Sequence, residues 1–280
     1  MANLTAHPGG PAPQRVRAVP PAKRRSGVRG TLRSEFTKIR SVRSTWLTLA
    51  AFFAVTPAAA ILLSAGSSSS AGQASFDPTA TSLQAVLYTA TLIIVVIGVL
   101  VITSEYGTRM MGTSLAAMPR RGVLYAAKAI MLTSVTLVVG LITSFSAFFA
   151  GQAVLASTHG AATITSQGAL RAVLLTGVFV PCCALLAFGL GAIIRHTAGA
   201  ITALFGMVWV IPLLASALPR GWQHSVLRWL PGDSALYPIT ATKPAGTPYF
   251  FGPYSEVAVF AGYALIAVVA GALLFLRRDA

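Results

Sequence analysis

Residues 104–128 read S-E-Y-G-T-R-M-M-G-T-S-L-A-A-M-P-R-R-G-V-L-Y-A-A-K, a polar segment whose charges are Glu105, Arg109, Arg120, Arg121 and Lys128. Residues 83–103 before it and 129–151 after it carry no formal charge. Each flank matches the roughly 20 residues that cross about 30 Å of hydrocarbon, so the segment turns between two membrane spans. Within it Met111, Leu115 and Met118 fall at i, i+4 and i+7, one face of a short helix. Pro119 ends that helix because proline disfavours helical geometry in the residue before it. The pattern predicts a surface helix offered to a partner.

Working outward, the rest of the chain repeats the same grammar. It is 55% hydrophobic and only 10% charged, too little polar surface to solvate a globule of 280 residues, and its apolar residues come in blocks. The prediction is an all-α integral membrane protein with six transmembrane helices over about 46–64, 83–103, 129–151, 172–194, 197–218 and 257–276. Pro57, Pro181 and Pro212 sit within spans, where they kink helices whose freed carbonyls find other partners. Cys182 and Cys183 are adjacent in an apolar run and read as small hydrophobic filler, with no disulfide framework or metal site implied.

Charge sets the expected orientation. With both termini inside, 17 of the 21 Lys and Arg residues face the cytoplasm, and only Arg171, Arg220, Arg228 and Lys243 face out. A net charge of +15 also raises nucleic acid as a partner, but the basic residues are confined to the ends and short loops. A membrane surface, which attracts basic segments by about 1 kcal/mol per residue, fits better. Lys128 is expected to snorkel to the headgroups. The predicted localisation is the plasma membrane, multi-pass.

Residues 1–30 carry five prolines and six basic residues and predict a disordered cytoplasmic tail, leaving 31–280 as one transmembrane domain. A segment of about 15 residues separates this tail from the first apolar run, which argues against a secretory signal. In that segment Leu32, Phe36, Ile39, Val42 and Trp46 share one helical face, the pattern of a helix lying in the headgroup plane. On the other side of the membrane, 66–82 reads as a Gly/Ser-rich linker and 152–167 as a small polar loop. The loop 219–256 is long and aromatic. Trp222, Val226 and Trp229 fall at i, i+4 and i+7 there, which suits a short amphipathic helix at the membrane edge or an ordinary aromatic belt.

Chemistry-bearing constellations are missing from the sequence. His7, His159, His196 and His224 are too scattered for metal-ligand spacing, and neither a G-x-x-x-x-G-K-[ST] phosphate loop nor a G-x-S-x-G elbow occurs. The six carboxylates all lie outside the span centres, whereas a proton-coupled carrier usually needs an ionisable relay within them. A transporter so equipped receives its free energy from elsewhere, and the polar segment at 104–128 is the natural place.

The order Glu105-Tyr106, Thr113-Ser114-Leu115-Ala116-Ala117, Pro119-Arg120-Arg121 and Ala127-Lys128, after the L-R-S-E-F-x-K-I-R-S-x-R-S-T-W helix, resembles the membrane permease of type 2 ABC exporters. The resemblance implies a dimeric permease without its own nucleotide site, pairing with a separately encoded ATPase that holds ATP and Mg. The segment between the second and third spans would be a coupling helix docking into that ATPase through Glu105, Tyr106, Arg109, Met111, Leu115 and Met118. The family pattern places a glycine four residues after the glutamate and a basic residue three further on. Here Arg109 and Gly112 are interchanged, which bears on the turn after Tyr106. From the residues alone Glu105 can equally cap the second span or pair with Arg109 at i+4, and Arg120 and Arg121 can serve only to fix topology. A non-transport membrane scaffold recruiting a cytoplasmic protein through residues 105–122 is the alternative reading.

Overall fold

A computed structural model describes residues 30, 34, 37, 43–67, 76–107, 121–157, 161–227, 229–230, 239–241 and 252–278. Every regular element among them is helical, and six helices are long and apolar enough to cross a membrane: Arg43–Gly66, Pro78–Ser104, Arg121–Leu155, Ala169–Ile194, Thr197–Ala215 and Pro253–Arg277. Counted in that order, they are the first to sixth spans.

The third span begins eight residues before its uncharged run and reaches about 52 Å at 1.5 Å per residue, longer than the hydrocarbon alone requires. The second begins at Pro78, so the end of the expected 66–82 linker is helix. Asp77 explains the early start. Its Oδ1 accepts hydrogen bonds from the Thr79 and Ala80 N–H groups at 2.9 and 3.1 Å, and Pro78 occupies the first helical position, where no N–H is needed.

Burial is uneven. In the second and fourth spans 67% and 72% of the most apolar stretch is buried, against 22–28% in the other four, so the fourth span is the axle on which the second, third and sixth pack. Small residues permit the close approach. A Cβ at Gly98 would collide with the Ala184 carbonyl oxygen and lie 2.8 Å from Ala187 Cβ, and one at Gly189 would collide with the Ala267 backbone. The larger side chains fill what remains. Tyr125 of the third span lies 4.8 Å from the Phe188 ring of the fourth and 5.6 Å from Phe275 of the sixth, and its hydroxyl donates to the Val268 carbonyl at 3.0 Å.

Two spans carry π turns. Ala90–Ile94 interrupts the second and Gly206–Val210 the fifth. The latter directly precedes Pro212, whose missing N–H a widened turn accommodates. Tyr88, next to the first π turn, packs on Trp209 inside the second with ring centroids 5.3 Å apart. Several buried hydroxyls bond to carbonyls one turn back, whereas those of Ser64, Thr143 and Ser144 have no hydrogen-bond partner among the described residues. Thr56 Oγ1 lies 2.6 Å from Phe52 O and Thr89 Oγ1 2.7 Å from Ala85 O, and the two hydroxyls meet at 2.7 Å between the first and second spans, so that one donates to the other and the other to its own carbonyl.

Lys128 departs from expectation. It is 4% exposed, enclosed by protein on the inward side of the third span instead of reaching outward to headgroups. It shares the buried face of the third span with Leu124, Tyr125 and Leu132, which turns it toward the bundle.

Candidate functional site

The described chain leaves the second span at Gly107 and resumes at Arg121, so the candidate docking segment is anchored at one end of the bundle, the end that also carries Arg43, Arg195 and Arg277. Arg109, Met111, Leu115 and Met118 lie outside the described residues, as does the side chain of Glu105, whose backbone is helical. Tyr106 is described and half-buried. The Arg195 guanidinium stands over its ring, Cζ 5.0 Å from the centroid, within the range of a cation–π contact.

Arg195 belongs to the two-residue turn between the fourth and fifth spans. It caps the fourth span in a left-handed conformation, φ 59°, with its N–H donating to Gly191 O at 2.9 Å. His196 then caps the fifth span, its Nδ1 accepting from the Gly199 N–H at 3.2 Å. The same turn is joined to the second span twice more. Thr197 donates through Oγ1 to Thr103 Oγ1 at 2.9 Å, and the absence of a side chain at Gly191 admits Ile102, whose Cγ2 would be 2.9 Å from a Cβ there. The root of the docking segment and the 195–196 turn therefore form one junction, the basic junction. It brings together Thr103, Tyr106, Arg195 and Thr197, of which the sequence pattern singled out only Tyr106. The two-residue gap between the apolar runs marked a turn at 195–196, but nothing in the spacing pointed it at Tyr106.

The opposite end is fastened by a second cluster, a clasp. Asp77 Oδ2 accepts from the Ala241 N–H at 2.8 Å, while Arg171 Nη2 donates to the Thr240 and Ala241 carbonyls at 3.2 and 2.8 Å. Gly168, φ 82°, gives way to Ala241, whose carbonyl oxygen would collide with a Cβ. Gln152 donates to Pro78 O and Ser82 Oγ at 2.8 and 2.9 Å and accepts from the Ala162 N–H at 2.8 Å. The Asp-Pro pair at 77–78 was a readable helix-start signal for this cluster.

The remaining predicted residues are dispersed. Leu32, Phe36, Ile39 and Val42 lie outside the described residues; Trp46 falls in the first turns of the first span and is exposed. A helix does form at Arg220–Leu227, with Trp222 exposed and Val226 half-buried. Trp229 follows beyond its end, exposed, its carbonyl accepting from the Tyr263 hydroxyl at 2.7 Å. Among the described residues, no three His, Cys, Asp or Glu side chains gather as metal ligands would.

A family described as ABC-2 family transporter protein matches residues 31–213, from before the first span through most of the fifth. The chain belongs to the ABC-2 transporter family. No curated protein matches it. As an ABC transporter permease it is a multi-pass membrane component of a transport system, and the matched region contains the whole basic junction and the Asp77 and Arg171 halves of the clasp. The segment holding Arg220–Leu227 and the sixth span of this ABC-2 permease lie beyond the match.

Proposed function

We propose that this chain is the membrane subunit of an ATP-driven exporter, working as a dimer or with a paralogous permease and bound to two copies of a separately encoded ATPase. The observation that carries the reading is membership of the ABC-2 transporter family, supported by a sequence that has no phosphate-binding loop of its own. The basic end faces the cytoplasm, as its Lys and Arg count favours, and residues 1–30 form a tail there ahead of a single domain over 31–280. ATP closes the ATPase pair, the face of Met111, Leu115 and Met118 moves with it, and the spans rock to release substrate outward. Only a ligand-linked difference between the two states drives such a change. The substrate class is hydrophobic or amphipathic, a drug, antibiotic or lipid, in keeping with spans rich in Ala, Leu, Val and Thr.

Co-expression with an ABC ATPase from a neighbouring reading frame tests the docking face. Met111→Arg and Leu115→Asp are expected to abolish co-purification. Retention of both variants at the wild-type level would sink the docking claim, and a kinase or regulator encoded beside the chain instead of an ATPase would favour the scaffold. Reconstituted with its partner, the wild-type complex should hydrolyse ATP faster in the presence of its substrate, found by screening lipids, antibiotics and peptides.

A further inference from the structure

We propose that Arg195, standing on Tyr106, is the positioning residue that carries movement of the docking segment from the second span to the start of the fifth. The proposal rests on the reading of residues 105–118 as an ATPase-docking segment.

An arginine needed only to mark a cytoplasmic turn would extend into water. Arg195 instead is half-buried, with Nε and Nη2 shielded from solvent, and its plane stands over a ring from another span. It also occupies a left-handed backbone position that disfavours any residue with a Cβ by about tenfold, where glycine is the ordinary cap. A side chain kept at that site against backbone preference has a task that glycine cannot perform. Tyr106, at the root of the docking segment, is its last described side chain before the segment leaves the bundle, and Arg195 precedes His196, which caps the fifth span.

The contacts differ in how they respond to movement. A cation over an aromatic face tolerates sliding, while the Thr197–Thr103 hydroxyl bond at 2.9 Å is directional and acts as a pivot beside it. Resistance is distributed accordingly. The second and fourth spans are seated on each other at Gly98 and are the most buried, whereas the fifth is the least buried, at 22%. Displacement of Tyr106 therefore passes through Arg195 into the span that the bundle holds most loosely.

The experiment uses the full chain with its ATPase in lipid nanodiscs, in a Cys182→Ala, Cys183→Ala background. Spin labels are placed at Ala126→Cys and Ala198→Cys, both exposed positions on the third and fifth spans. Trapping the ATPase with ATP and vanadate should shift the distance between the labels in the wild type. Arg195→Gly should bind the ATPase normally and unfold at or above the wild-type temperature, because glycine accepts φ 59° freely. It should nevertheless show the shifted distance in about fivefold fewer molecules, the scale of one cation–π contact. Tyr106→Phe keeps the ring face and should keep the shift, and Arg195→Lys, which keeps the cation, should retain part of it. A full shift in Arg195→Gly, or none in the wild type with ATPase bound, overturns the proposal alone. A wild-type chain that binds no ATPase overturns the docking reading and this proposal together.

Discussion

At the clasp, segments far apart in sequence are held by hydrogen bonds that, apart from Gln152 to Ser82 Oγ, end on backbone atoms and begin, for two of the side chains, on formal charges. Asp77 takes the Ala241 N–H, and Arg171 takes the carbonyls of Thr240 and Ala241. At the basic junction the ties include a ring under a guanidinium, a hydroxyl pair and a glycine contact. The first kind of contact fixes both distance and direction, because a carbonyl or N–H cannot turn without unwinding its segment. At the junction the ring contact fixes proximity and tolerates sliding, with the Thr197–Thr103 hydroxyl bond as its directional pivot. The bundle is thus pinned at one end and jointed at the other, and the jointed end is the one from which the docking segment departs.

The largest effect is expected at the seat that both ends share. Gly98→Leu must part the second and fourth spans and should cost about 3 kcal/mol by the overpacking rule, read as lowered resistance to unfolding in a detergent titration. A wild-type unfolding curve would mean that the two buried spans are not a common seat. Next comes the pinned end. Asp77→Ala removes two capping bonds and the bond from Ala241, and should lose about 2 kcal/mol, seen as earlier thermal unfolding and faster protease cleavage near residue 241. Arg171→Leu, which leaves the cap intact, should give the same cleavage pattern with a smaller loss of about 1.5 kcal/mol. The smallest effect belongs to the joint. Thr197→Val should change stability by only about 0.6 kcal/mol, the average for an interhelical hydrogen bond in a membrane. A loss at Thr197 equal to that at Asp77 would erase the contrast between the two ends.

Much of this architecture was readable from the sequence, because lipid imposes one requirement everywhere: uncharged runs of about 20 residues mark spans whatever their neighbours are. All six predicted spans recur, with ends displaced where the cause is local chemistry. Asp77 pulls the second span back to Pro78, and the third continues to Leu155. The two ends were less legible. Arg171 and Arg195 entered the sequence reading only as counts of charge, since what each touches depends on residues 69 and 89 positions away in the chain, Thr240 and Tyr106. Lys128 was misjudged for a related reason: composition shows that a lysine lies near a span end but not which side of the helix faces lipid. The docking face at Met111, Leu115 and Met118, read from periodicity and resemblance, lies outside the described residues.

The π turn at Ala90–Ile94 makes the aim of Tyr106 a matter of counting. A π turn absorbs its additional residue within one widened turn of helix, whereas deleting a single residue from the α stretch that follows it, Val95–Gly107, swings everything beyond the deletion by about 100°. Every later residue would keep its identity, its apolar character and its depth in the membrane to within one residue's rise. The face presented to the 195–196 turn would nevertheless be a different one. Composition and hydropathy would register almost no change in such a chain, yet its second span would leave the bilayer pointing at the wrong neighbour.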